Sequence, residues 1–139
     1  MRYLLDTCVL SELVKTKRDT HVVDWFEKRK PHELYTSAMT WGELNRGVER
    51  TPASKRRSEL THWLDQLGTG FEDRVLAFDQ TVARAWSQMT VQAEANGKPM
   101  AALDSIIAAT ARANDCKLVT RNVQDFAQAG VEIVNPWLS

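Results

Sequence analysis

Cysteine is scarce in this chain: only Cys8 and Cys116 occur in 139 residues. Two are too few for a disulfide framework, and the expected compartment is the reducing cytoplasm. Histidine is equally thin. His21, His32 and His62 are scattered and read as surface residues, so a Cys/His zinc site is disfavoured. No apolar run approaches the roughly 20 residues of a membrane helix, and the N-terminus lacks the pattern of a signal peptide. There is no internal repeat and no low-complexity segment. Net charge is missing too, with 18 Lys and Arg against 18 Asp and Glu. That is not the bulk signature of a general nucleic-acid binder.

What is present reads as one globular domain over residues 1–139, long enough to bury a core. Hydrophobic residues make up 43% and charged ones 26%. The charge is lumpy. Lys15, Lys17 and Arg18 cluster, as do Lys28, Arg29 and Lys30, and again Lys55, Arg56 and Arg57. Each cluster reads as a solvated helix end, or as a basic rim around an acidic cleft. Of the five Trp, Trp25, Trp63 and Trp86 fall at helical core positions.

Apolar periodicity gives alternating strands and helices. Tyr3 to Leu5 is a continuous apolar run, as in a strand covered on both faces. A helix follows Asp6 to about Val14. A second covers about Thr20 to Lys28, ended by Pro31. Leu34 to Ala38 is a strand, Thr40 to Glu49 a helix, and Thr51-Pro52 its stop. The next helix runs from about Ala53 to Leu67, where Gly68 and Gly70 break it. Val75 to Phe78 is a strand and Thr81 to Asn96 a helix, followed by a Gly97–Pro99 loop. Leu103 to Asn114 is a small-residue helix. Leu118 to Thr120 is a strand, Val123 to Ala127 a short helix, and Val131 to Val134 the last strand. This alternation predicts an α/β fold with a parallel sheet sandwiched by helices. The helix pair between Thr40 and Leu67 reads as a protruding arm.

Acids punctuate the strand ends. Asp6 ends the first strand. Glu43 lies in the first helical turn after the second, Asp79 follows the third, and Asp104 opens the helix Ser105 to Asn114. Asp125 lies just past the strand Leu118 to Thr120. In a parallel sheet these points fall on one edge, where ligands bind. Each also has a plain reading. Asp6, Asp79 and Asp104 suit helix caps. Thr40 and Glu43 fit a capping box, and Asp125 a loop or cap. Caps explain less well why Asp6, Glu43 and Asp104 sit in strongly apolar sequence, where a lone carboxylate is costly to bury. A shared hard cation such as Mg²⁺ would remove that cost. It would also lower the pKa of a bound water and stabilise charge on a phosphoryl oxygen. An acid cluster without a general-base His points to phosphodiester hydrolysis.

The segments LLDTCVLSEL, SAMTWGEL, LDSIIAATARAND and LVTRNVQDF, in this order, resemble the PIN-domain ribonucleases. Within them they are most similar to the VapC toxins of bacterial toxin–antitoxin pairs, in the FitB-like branch, whose ending resembles VEIVNPW here. The resemblance implies a PIN-like fold: a central parallel sheet of about five strands with flanking helices. It also implies an acidic pocket for Mg²⁺ or Mn²⁺ and endonuclease action on RNA, often tRNA or a ribosomal RNA loop. A VapB-like antitoxin with a DNA-binding half would wrap the toxin and block the site. By position, Asp6, Glu43 and Asp104 match the family carboxylates. Asp6 and Asp104 would be direct metal ligands, and Glu43 would hold a water or a second ion. Thr7 and Thr120 would supply hydroxyls. The family often has Asn where Cys8 stands, and this branch tends to have a fourth acid where Asn122 stands; Asp125 is placed to compensate. The clusters Lys15, Lys17, Arg18 and Lys55, Arg56, Arg57 would guide the RNA backbone. A homodimer is expected, with an exposed aromatic such as Trp41 at its interface.

Two other readings compete. A non-catalytic PIN-like module would bind RNA or protein without cutting. An aspartate-based phosphatase would also use a strand-ending Asp, but it needs a second Asp where Cys8 stands.

Overall fold

The computed structural model describes residues 1–138. Five short strands form one all-parallel sheet: β1 (Tyr3–Leu5), β2 (Leu34–Ser37), β3 (Val75–Leu76), β4 (Lys117–Val119) and β5 (Ile133–Val134). Their order is β3-β2-β1-β4-β5. Tyr3 pairs with Leu34 on one side and Lys117 on the other, which puts the opening apolar run at the centre. Leu4 and Leu5 have no exposed surface. The order reverses between β1 and β4, so a crevice opens beyond their carboxyl ends, the place where α/β sheets bind ligands.

Alternation along the strands divides the core into two layers. Tyr3, Leu5 and Val119 join Val9, Leu10, Val22, Trp25, Leu44, Leu64 and Phe71 on one face. Leu4 and Leu118 join Val82, Met89, Ile107, Ala108, Ala111 and Phe126 on the other. The first face is covered by α1 (Thr7–Val14), α2 (Thr20–Glu27), α3 (Ala38–Arg50) and α4 (Lys55–Phe71); the second by α5 (Gln80–Ala95) and α6 (Ala102–Ala113). Ala108, Ala109 and Ala111 of α6 are fully buried, as its small-residue composition predicts. Among the described residues no helix is long and apolar enough to cross a membrane.

Several boundaries differ from expectation. α2 ends at Glu27, and Pro31 instead begins a 3₁₀ turn, Pro31–Glu33. α3 starts at Ala38 rather than Thr40, because Ser37 is its N-cap and accepts the Thr40 N–H at 2.9 Å. The Thr40–Glu43 capping box therefore does not form. α6 starts at Ala102, so Asp104 lies inside its first turn and caps nothing. β3 stops at Leu76, β5 begins at Ile133, and Phe78 is left exposed.

α4 passes straight through Gly68 and Gly70. Gly68 serves packing: a Cβ there would come within 2.9 Å of the Trp41 ring. Trp41 is thus half-buried against the first core layer rather than free for an interface. Trp86 moves the other way. It is 38% exposed, and its indole N–H donates to Ser105 Oγ at 2.9 Å. The α3–α4 pair is an arm only at its far end. Arg46, Gly47, Lys55 and Arg56 are not buried, while Leu44, Leu64 and Phe71 belong to the core.

The two glycines of α4 make a matched test. Gly70→Ala meets nothing within 4 Å and is expected to raise stability in urea by about 0.5–1 kcal/mol, the helix propensity gain. Gly68→Ala must displace Trp41 and is expected to forfeit that gain and destabilise by about 1–3 kcal/mol. Equal shifts in the two variants would show that the Trp41 packing carries no energy.

Candidate active site

Asp6 continues β1 by one hydrogen bond, its N–H to Val119 O at 3.0 Å, and then opens α1. Its Oδ1 accepts the Thr7 N–H at 2.8 Å, so Asp6 does cap the helix, as its residue type suggests. The second oxygen is used differently. Oδ2 accepts the Thr120 hydroxyl at 2.7 Å, from the residue that follows β4. Asp6 is only 4% exposed, and both of its oxygens are fixed from opposite sides of the crevice. Thr120 has its own anchors: its N–H donates to Val134 O at 3.0 Å, and its Oγ1 accepts the Asn122 N–H at 3.0 Å.

Cys8 fills the space between these groups. Its Sγ lies 3.6 Å from Asp6 Oδ2 and 3.5 Å from Thr120 Oγ1, and it accepts the Arg121 N–H at 3.5 Å. Burial pushes its thiol above the ordinary range, and the Asp6 charge adds to the shift. The side chain therefore stays a neutral thiol, a weak donor beside a carboxylate.

Glu43 arrives from α3. Because that helix begins two residues early, Glu43 sits about half a turn deeper than expected and is half-buried. Thr7 Oγ1 donates to its Oε1 at 2.6 Å. Thr7 thus carries the backbone N–H that caps onto Asp6 and the hydroxyl that holds Glu43. Behind them Ser37 Oγ donates to Thr40 Oγ1 at 3.1 Å, closing the wall.

Asp104 enters from α6 and Asp125 from the 3₁₀ turn Val123–Phe126. Burial holds the Asp104 carboxyl above its ordinary pKa, and the charges of Asp6, Asp125 and Glu43 raise it further. The charges of Asp6, Glu43 and Asp125, from three other parts of the chain, are thus felt at Asp104, and Asp104 and Asp125 line one cavity. Among the described residues, no ion pair neutralises any of them. Among the described residues no three His, Cys, Asp or Glu groups are drawn together tightly enough to hold one ion. Asn122 contributes only its backbone N–H to this network, whereas Asp125 contributes charge.

The basic clusters stand away from the acids. Lys15 caps the far end of α1 and pairs with buried Glu12 at 2.9 Å. Lys17 and Arg18 follow it and are exposed. Lys55, Arg56 and Arg57 begin α4 at the tip of the arm. Arg56 pairs with Glu59 at 3.8 Å and Arg57 with Glu49 at 3.6 Å. Residues that the sequence pattern does not single out lie nearer. Lys98 and Gln124 share a cavity with Asp104 and Asp125. Arg121, beside Thr120, stacks over the Trp137 ring at 5.2 Å. Their only signal in the sequence is adjacency, to Gly97–Pro99 and to Thr120.

By chemistry the donors suit a hard divalent cation, while their spacing here does not close three of them on one ion. They offer carboxylate oxygens oriented by hydroxyls, and excess negative charge without a counter-ion. The same charge makes a stability prediction. Asp104 has its pKa raised in the folded state, so its ionised form costs stability above that pKa and the cost vanishes as pH falls below the unfolded value. Asp104→Asn in EDTA is therefore expected to melt higher than the parent near pH 7, with the gap closing toward pH 3. A gap that is absent or widens on acidification would contradict this. Thr120→Val leaves one buried Asp6 oxygen without its donor and is expected to cost about 1–3 kcal/mol in urea unfolding.

Comparison with known proteins agrees with this geometry. The PIN domain family model matches residues 3–132. The chain is 38% identical over 135 residues to "VapC ribonuclease Y4jK" of Sinorhizobium fredii, covering 96% of both chains. It is 36% identical over 135 residues to "Toxin FitB" of Neisseria gonorrhoeae, covering 96% of this chain and 97% of that one. A solved structure of FitAB bound to a DNA fragment superposes with a TM-score of 0.93 at 34% identity, covering 97% of this chain and 95% of that one. With residues 3–132 matched by the family model, nearly its whole length, this chain belongs to the PIN domain family.

Proposed function

We propose that this chain, as one PIN domain over residues 1–139, is the toxin of a toxin–antitoxin pair and a divalent-metal-dependent endoribonuclease. The observation that supports the reading is that the charges of Asp6, Glu43 and Asp125 all act on Asp104, with no ion pair among the described residues to neutralise them, Asp6 standing at the β1–β4 crevice. The names of the similar proteins supply the substrate class, RNA, and the toxin role.

Asp6 and Asp104 would hold Mg²⁺ or Mn²⁺, with Glu43 completing the site and Asp125 in the place of the fourth acid. When bound, the cation supplies charge stabilisation at a phosphoryl oxygen and acidifies a water. The rest is done by the chain. Thr120 and Thr7 aim the Asp6 and Glu43 carboxylates through hydrogen bonds of 2.7 and 2.6 Å. Cys8 gives a small polar filler that leaves both Asp6 oxygens engaged. Asn122 locks the Thr120 hydroxyl from behind through its N–H.

The FitAB–DNA structure supports a partner of antitoxin type with a DNA-binding part, whose seating on the toxin would inhibit cleavage. The working form would be a homodimer in complex with that antitoxin, in the cytoplasm.

Cleavage of total bacterial RNA by the purified, antitoxin-free protein is expected in Mg²⁺ or Mn²⁺ and is abolished by EDTA. Asp6→Asn and Asp104→Asn, shown to be folded by circular dichroism, are expected to lose roughly 100-fold or more in rate, about 2.7 kcal/mol of transition-state stabilisation. Absence of cleavage together with absence of divalent-ion binding would favour the non-catalytic module instead. Replacing Lys55, Arg56 and Arg57 by Ala is expected to weaken RNA binding and to flatten its salt dependence by about 0.7 for each phosphate left unneutralised. An unchanged slope would remove the arm tip from the RNA path.

A further inference from the structure

We propose that the cavity beside Asp104 and Asp125 is a nucleotide subsite, taking the RNA nucleotide that flanks the cleaved phosphate. Lys98 binds that nucleotide's phosphate, and Gln124 and Gln128 read its base. This inference rests on the endoribonuclease reading above.

The cavity has a volume of about 460 Å³ and lies between the α5–α6 loop and the 3₁₀ turn Val123–Phe126. That size suits a small-molecule moiety. Asp104 and Asp125 both line it, so it shares its wall with the acidic site. Lys98 is its one cationic lining residue, and among the described residues its ammonium enters no ion pair or hydrogen bond. The Lys98 backbone is held. Gly97 turns the chain at φ 69°, a conformation natural to glycine, and the Lys98 N–H donates to Ala93 O at 2.9 Å. A fixed loop therefore presents an uncommitted cation beside uncommitted acids.

The remaining lining suits a base. Pro99 and Met100 supply apolar surface for a base face. Gln128 is oriented by a relay: Gln92 Nε2 donates to Asn96 Oδ1 at 3.3 Å, and Asn96 Nδ2 donates to Gln128 Oε1 at 3.1 Å. The relay occupies the Gln128 oxygen and leaves its N–H groups for an acceptor on the ligand. The Gln124 side-chain amide has no partner among the described residues and offers both donor and acceptor. One cation, one apolar face and two amides match the phosphate, face and edge of a single unpaired nucleotide. A free anion fits less well, because it meets the same repulsion from Asp104 and Asp125 without the base contacts to Pro99, Met100, Gln124 and Gln128 that would offset it.

The test uses short single-stranded RNA of randomised sequence, labelled with fluorescein. Its affinity is read by anisotropy in EDTA across a salt series, where no cleavage intervenes, and its cut sites are then mapped in Mg²⁺. Lys98→Ala is expected to bind several-fold more weakly, with a salt slope shallower by about 0.7. Lys98→Arg is expected to keep the slope. Gln124→Ala is expected to change which base is preferred next to the cut. Both positions are on the surface, so the variants are expected to fold. If wild type cleaves RNA while Lys98→Ala keeps its slope and Gln124→Ala keeps its cut pattern, the subsite is overturned and the ribonuclease stands. If those variants instead lose affinity only for the antitoxin, the cavity is a protein-docking site and the subsite is again overturned. A wild-type protein that neither binds nor cuts RNA overturns both.

Discussion

One hydrogen bond joins the two halves of this molecule at the place where its chemistry is concentrated. Thr120 Oγ1 donates to Asp6 Oδ2 at 2.7 Å across a sequence separation of 114 residues. It spans the β1–β4 seam, the point at which the strand order reverses. On the Asp6 side it aligns the cap of α1, and through Thr7 it reaches Glu43 on α3. On the Thr120 side it gathers the Asn122 N–H and, through the β4–β5 ladder, Val134 O.

Against that bond stands repulsion. Among the described residues the acids have no ion-pair partner, and burial first, then the charges of Asp6, Asp125 and Glu43, raise the proton affinity of Asp104. A chain selected only for stability would pair these acids with a lysine or arginine, whereas Lys98, which shares a cavity with Asp104 and Asp125, makes no ion pair with them. Several cations elsewhere in the chain are committed: Lys15 to Glu12, Arg57 to Glu49, Lys117 to Glu132. Arg74 caps the carbonyls of Pro31, Leu34 and Gly70, and Arg29 stacks on Trp25 and Tyr3. Zero net charge thus hides a segregated distribution, with negative charge held in the crevice and positive charge spread over the framework and rim. That arrangement stores unfavourable electrostatic energy where a cation and a phosphodiester would release it.

The caps show how far local reasoning reaches. Asp79 accepts the Val82 N–H at 2.9 Å and is a cap and nothing more. Asp6 is a cap by the same local test, yet its second oxygen belongs to the site. Asp104 has the look of a cap and makes no capping bond. Nothing within a few residues of each distinguishes the three. The distinction lies in what β4, α3 and the 3₁₀ turn bring to the other side of the carboxylate. The glycines of α4 behave likewise. They read as breakers, but Trp41, far away in sequence, explains Gly68, and for Gly70 the structure offers no packing reason.

The sequence by itself determined the class of fold, the order of its elements and which acids stand at strand ends. Those features follow from apolar period, Gly and Pro punctuation and the polarity of a parallel sheet, all short-range or directional facts. It also carried the family resemblance, spread over segments too distant for any local rule to connect. Tertiary structure alone decided which acids share a field, that Asp125 and not the Asn122 side chain joins it, and that Trp86 faces solvent while Trp41 packs. Only the fold could put Lys98 and Gln124 beside Asp104. Such facts depend on pairings across tens of residues. A few ångströms there separate a capping carboxylate from one that repels its neighbours, and no pattern along the chain encodes that distance.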